Sequence, residues 1–266
     1  MRHGTMNILL ALAVPATATG QAREEEPPMS QRAAAAALMD GRLTPERDRA
    51  LALALELGPR AGAELRAAVI DAAWAEWRGE TDRPEGSEAM PGYMDAVAGL
   101  RDPRAIPFLI EISGLPGTAR NELADFGGVA FPAVLASASD PGGYSTRVAG
   151  GVTALRFMVE DGSLNARQLE QVRELARDRL SGSQHWIVVT AAMRLAVTLG
   201  DPDLRRTVET IAADRAAAEA LTSPYLSDGT PIPERWIDTV QEDARALLAG
   251  PVDFGPFRRR LSGPPR

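Results

Sequence analysis

LRDPRAIPFLIEI, Leu100 to Ile112, and LGDPDLRRTVETI, Leu199 to Ile211, carry leucine, aspartate and proline at matching places ahead of helically spaced apolar residues. A third pair, Asp140-Pro141, stands ahead of another such run. This punctuation constrains the fold more than any other feature of the chain. An aspartate at a helix start accepts hydrogen bonds from the free N–H groups of the first turn, and a proline in the next position forfeits no bond there. Asp-Pro is therefore a sharp helix initiator, and its recurrence marks the joints of a series of helices.

The segments between the joints have helical periodicity. Alanine-rich Gln31 to Met39 ends at Gly41, and Thr44-Pro45-Glu46 starts a helix that runs to Gly58. Its expected partner is Arg60 to Arg78, where Val69, Ile70, Ala73, Trp74 and Trp77 share one apolar stripe. Further helices are expected over Tyr93 to Leu100, from Asp102 with Ile106, Leu109, Ile110 and Ile112 buried, Thr118 to Phe126 and Val129 to Ala138. Others follow over Ser145 to Glu160, Asn165 to Leu180, Trp186 to Leu199, Leu204 to Ala213 and Glu234 to Ala249. Polar loops fill 80–89 and 223–232. No stretch alternates apolar and polar residues in a β-branched or aromatic context, so an all-α fold is expected.

The first 22 residues read as an export signal, with Arg2 ahead of a short apolar core, Met6 to Val14, and small residues at Ala16-Thr17-Ala18 or Gly20-Gln21-Ala22 for cleavage. That core is too short to span a bilayer, which takes about 20 residues. The expected organisation is a signal over 1–22, a disordered charged leader over 23–28, a helical body over 29–249 and a disordered Pro/Gly/Arg tail over 250–266. A periplasmic or secreted location follows, with no membrane insertion after signal removal. All 29 basic residues are arginine, and 36 acidic residues give a formal charge of -7. That balance disfavours nucleic acid and anionic lipid as partners.

The chain has no cysteine and only two histidines, His3 and His185. Disulfides, thiolate metal sites and cysteine nucleophiles are thereby excluded. No cofactor and no metal are expected, since scattered carboxylates supply no EF-hand loop. Glu111, Asp125, Glu160 and Asp161 are available as an acid–base pair, but solvated surface charge explains each of them. Trp74 and Trp77 read as packing residues rather than a sugar platform, and His185 reads as a helix cap. No Gly-x-Ser-x-Gly elbow is present.

Arg156 and Arg194 stand 38 residues apart in similar surroundings, the length of one helix-pair repeat. At "LRDPRAIPFLIE" and "AAMRLAVTLGDP" the chain resembles the HEAT-repeat proteins, in which an Asp-Pro-type turn is followed by an arginine and then small and aliphatic positions. The resemblance covers Thr44 to Ala213 and is clearest from Leu100 onward. It departs from the pattern at glycines 142, 143, 150 and 151, which weaken one unit, and at the short helices around Thr118 to Ala138. It implies a right-handed superhelix of stacked antiparallel helix pairs that serves as a scaffold or binding surface. An ordinary helical bundle and an armadillo-like variant are the rival all-α folds.

The expected site is a polar line along two otherwise apolar helices. Thr190, Arg194 and Thr198 recur every four residues on one, and Thr153, Arg156 and Glu160 form a comparable line on the other. Set side by side in a stack, the two lines would form a groove that binds another protein or peptide. Alternatively, each arginine pairs with the aspartate of a neighbouring turn, Asp140 or Asp201, as a stabilising ladder. A hydrolase of cell-wall glycan or peptide and a structural module of an envelope assembly are the competing functions. Oligomeric state is left open.

Overall fold

The computed structural model describes residues 28–40, 42, 44–81, 90–115, 119–225 and 229–250. The expected signal, the charged leader except Pro28, and all of the tail but Gly250 lie outside the described residues, as does the cap at Gly41. Among the described residues the chain is all-α, with two isolated bridges, Gln184 to Thr222 and Tyr225 to Pro231, in place of any strand.

The helices are α1 (Gln31–Met39), α2 (Pro45–Leu57), α3 (Ala63–Trp77), α4 (Met90–Leu100), α5 (Ile106–Glu111), α6 (Ala119–Asp125) and α7 (Phe131–Ser139). They continue as α8 (Ser145–Glu160), α9 (Ala166–Arg179), α10 (Trp186–Leu199), α11 (Pro202–Ala213), α12 (Arg215–Leu221) and α13 (Arg235–Ala249). Side-chain caps explain several of these starts. Thr44 Oγ1 accepts from Arg47 N at 3.3 Å, Asn165 and Gln168 form a reciprocal capping box, and the Asp201 carboxylate accepts from the Asp203 and Leu204 amides at 2.9 and 3.1 Å. His185 caps α10, its Nδ1 accepting from Ile187 N at 3.4 Å. Short α12 is a helix that the apolar periodicity did not indicate. Asp214 caps it, and only Ala218 is buried.

The three Asp-Pro pairs do three different things. Asp201 starts α11 directly. Asp102 caps the 3-10 turn Pro103–Ala105, which runs on into α5. Asp140 does not start α8: its carboxylate accepts from Gly142 N at 3.0 Å within a turn, and α8 begins at Ser145 without a side-chain cap. A Cβ on Gly143 would lie 2.9 Å from a carboxylate oxygen of Asp140, so glycine there leaves room for that side chain in the turn.

Packing follows chain order. α3 lies on α4, α5 on α6, α7 on α8, α9 on α10 and α11 on α13. The second members also pack on one another, so α4, α6, α8, α10 and α13 form one row. At the N-terminal end α1 packs on both α2 and α3, and α4 on both as well. The expected pairing of α2 with α3 is therefore wrong in its main contact. α3 buries Leu65, Ala68, Val69, Ile70, Ala72, Ala73 and Glu76, a face wider than half its circumference, with Trp74 and Trp77 only half-buried at its edge. Trp74 meets Phe108 edge-on at 5.3 Å, and both Trp74 and Trp77 pack on the core, as packing residues should.

Glycines of α8 tighten the stack rather than weaken it. A Cβ on Gly150 would lie 2.5 Å from the carbonyl oxygen of Ser113, and one on Gly151 would lie 3.1 Å from Ala138 N. Only hydrogen atoms at these positions let α8 approach the Ile112–Gly114 turn and α7 so closely. α8 buries Val148 to Val152, Ala154, Leu155 and Met158 between α6, α7 and α10. Burying that apolar face drives the stacking, at about 25 cal/mol per Å2 removed from water.

Candidate functional site

α8 and α10 are neighbours in the row, as the polar-line expectation requires. The individual side chains divide. Thr190 is 6% exposed and its Oγ1 has no hydrogen-bond partner among the described residues, so it belongs to the interior. Thr153 is half-buried and donates to Ala149 O at 2.8 Å, satisfying itself within its own helix. Arg156, Arg194 and Thr198 are half-buried, while Glu160 is exposed.

The expected ladder partners are otherwise engaged. Arg147 holds Asp140 at 3.2 Å and Glu111 at 3.1 Å, and Arg177 holds Asp201 at 3.2 Å. Arg156 pairs instead with Glu160 at 3.4 Å, one turn along its own helix, and lies 4.6 Å from the centre of the Phe157 ring. Arg194 reaches forward along the row to Asp243 of α13 at 3.1 Å. The ladder fails because Arg147, in the first turn of α8, and Arg177 of α9 already hold the two carboxylates of the Asp-Pro turns.

A third arginine belongs with these two. Arg120, on α6, donates from Nε to Ser113 O at 2.6 Å and from its terminal nitrogen to Gly114 O and Leu115 O. Burial, and then the charge of Arg194, hold its guanidinium below the usual arginine range. Among the described residues Arg120 has no carboxylate partner. Row helices α6, α8 and α10 thus carry the half-buried Arg120, Arg156 and Arg194, and Arg147 at the start of α8 is half-buried as well.

Elsewhere, an open-mouthed cavity of about 240 Å3 lies at the C-terminal ends of α4 and α6, lined by Arg101, Glu122, Asp125 and Phe126. Arg101 follows the last residue of α4 in the left-handed conformation, φ 50°, a position that glycine usually takes at a helix end. From there its guanidinium meets Asp125 at 3.3 Å. Glu122 is 3% exposed and makes no hydrogen bond or close ion pair with any described residue. Burial foremost, then the charge of Asp125, push its carboxyl up to about 7. Arg101 opposes this and Asp95 adds to it.

Sequence reasoning named Asp125 as a carboxylate and overlooked Glu122. The signal was available: Ala119, Glu122, Leu123 and Phe126 follow the i, i+3, i+4, i+7 spacing of an apolar stripe, and a glutamate fills one of its places. Arg47 was overlooked too. It is 1% exposed, donates from Nε to the Tyr93 hydroxyl and lies over the Tyr93 ring, joining α2 to α4.

Among the described residues no group of three metal-ligating side chains is placed to hold an ion, and no helix is long and apolar enough to cross a membrane. No protein-family model, curated protein or solved structure matches the chain.

Proposed function

We propose that this chain is an exported, non-catalytic scaffold that binds a protein or peptide, built as a HEAT-like right-handed superhelix of stacked helix pairs. Its binding face is the row of α6, α8 and α10, and the partner presents carboxylates to it. One observation carries this reading. Arg120 of α6 is half-buried and holds only the backbone carbonyls of Ser113, Gly114 and Leu115, which carry no net charge to offset its own. Arg156 and Arg194 on the adjoining helices are met by Glu160 and Asp243, so the charge that an incoming carboxylate would offset is that of Arg120, whose guanidinium also suits the geometry of such a group. Packing between helices near one another in the chain, with α4, α6, α8, α10 and α13 in one row, supports the solenoid reading.

Replacing both Arg156 and Arg194 by methionine tests the face. Methionine keeps most of the aliphatic bulk, and partly exposed ion pairs contribute little, so each substitution should lower stability by no more than about 1 kcal/mol. The double variant should melt near the parent yet lose glutamate-rich peptides from an array, and lose the partner captured from an envelope extract. Retention of those ligands at unchanged affinity would remove the two arginines from the binding face. Export has its own test. Protein isolated from its native host should begin at Thr19 or Arg23, and an intact Met1 would refute secretion.

A further inference from the structure

We propose that the cavity between the C-terminal ends of α4 and α6 is a binding site for one cationic group, an alkylammonium or guanidinium on a short apolar stem, whose charge is met by Glu122. This site shares no residue with the arginine row and stands or falls separately from it.

Size limits the ligand first. About 240 Å3 is less than the roughly 300–1,000 Å3 of sites for drug-sized molecules, and matches a single side-chain-sized group. Charge then selects its sign. Arg101 is engaged by Asp125, so the buried Glu122 carboxylate is left without a partner among the described residues. Asp95 adds to the negative field. Both helices also point their carbonyl ends toward the cavity, the negative end of the helix dipole. An anion would meet all of these charges as a repulsion, and a neutral group would leave Glu122 uncompensated. An ammonium or guanidinium supplies the N–H donors that a buried carboxylate requires, while Phe126 offers a ring face to the stem or the charge.

Binding should then be coupled to proton release. The groups acting on Glu122 are Asp125 of its own helix and Arg101 and Asp95 at α4; α5 and α8, also packed on α6, contribute no charge to it among the described residues. With its carboxyl at about 7, Glu122 is mostly protonated at pH 6 and must lose that proton to meet a cation. Affinity should therefore rise about tenfold between pH 6 and pH 8.

Titration calorimetry with Nα-acetyl-lysine amide, Nα-acetyl-arginine amide and n-butylamine tests this, with Nα-acetyl-norleucine amide as the uncharged control. At least one cationic probe should bind at millimolar concentration with the stated pH dependence, while the norleucine compound should not bind. A preference for the amino-acid amides identifies a side chain of a peptide as the source, and equal binding of n-butylamine identifies a free amine. Glu122→Gln should weaken binding at least tenfold at pH 8 and abolish the pH dependence. In the unsubstituted chain, carbon-13 NMR of the Glu122 carboxyl should show ionisation at pH 6 when the amine is added. The proposal is overturned if no cationic probe binds, if Glu122→Gln binds equally well, or if the Glu122 carboxyl does not respond.

Discussion

Glu122→Gln is expected to stabilise the chain by about 3 kcal/mol at pH 8 and to leave it nearly unchanged at pH 4.5. The cause is the burial of a carboxyl that the unfolded chain would ionise near 4.5 and the folded chain ionises at about 7. Between those values the native state holds a proton that the unfolded state has released. Stability therefore falls as pH rises through this window and levels off above it, each pH unit costing about 1.4 kcal/mol. Below 4.5 the glutamate is neutral in both states, and glutamine imitates it closely in shape and polarity. Above 7 the parent must hold a buried negative charge beside Asp125, a cost that Arg101 offsets only in part. Urea denaturation of parent and variant across this range gives the difference directly. A difference that does not change between pH 4.5 and pH 8 would show that Glu122 titrates normally and is open to solvent.

That glutamate illustrates what sequence could and could not convey. Helix positions were legible because their causes are local: Thr44, Asn165 and Asp201 bond to amides two or three residues away, so their effect is written beside them. Asp140 was misread for a nonlocal reason. Arg147, seven residues on, holds its carboxylate together with Glu111 of α5, and that carboxylate also accepts from Gly142 N in a turn that precedes α8. The partner of α2 was misread because buried residues cover more than half the circumference of α3, and spacing alone does not say which part of so wide a face meets which neighbour.

The polar line was legible as a position but not as a set of bonds. The structure sets α8 beside α10, the two helices whose arginines stand 38 residues apart, whereas the partners of those arginines follow from side-chain reach. Glu160 lies one turn away on the same helix, and Asp243 lies in α13, which no repeat argument included. Thr190 and Thr153 left the line for opposite reasons, one by burial and one by bonding to its own backbone. Arg120 joined it from a short helix that the repeat pattern treated as irregular.

Gly150→Ala is expected to destabilise the chain by about 2 kcal/mol, against the usual direction for such a change inside a helix. Alanine is a better helix former than glycine by about 1 kcal/mol, so an uncrowded site would gain. Here the new methyl would lie 2.5 Å from the carbonyl oxygen of Ser113 and 2.6 Å from its carbonyl carbon. The obstacle is backbone that does not yield readily: Ser113 is fully buried, its hydroxyl donates to Ile110 O at 2.7 Å, and its carbonyl accepts from Arg120 Nε at 2.6 Å. α8 must withdraw and give up its close contact with the turn, or the turn must shift and break those bonds. Gly92→Ala provides the control, because Gly92 also lies within a helix but its nearest obstacle, Leu51 Cδ1, is 3.8 Å away; that variant should hold or gain stability. Thermal melting of the two variants should therefore move in opposite directions or differ by several degrees. Equal behaviour would mean that α8 does not sit against Ser113 as closely as described. Because the Ser113 carbonyl also anchors Arg120, a displaced α8 would change the spacing between Arg120 and the row arginines Arg156 and Arg194. Gly150→Ala should consequently weaken acidic-peptide binding even at temperatures where the chain remains folded.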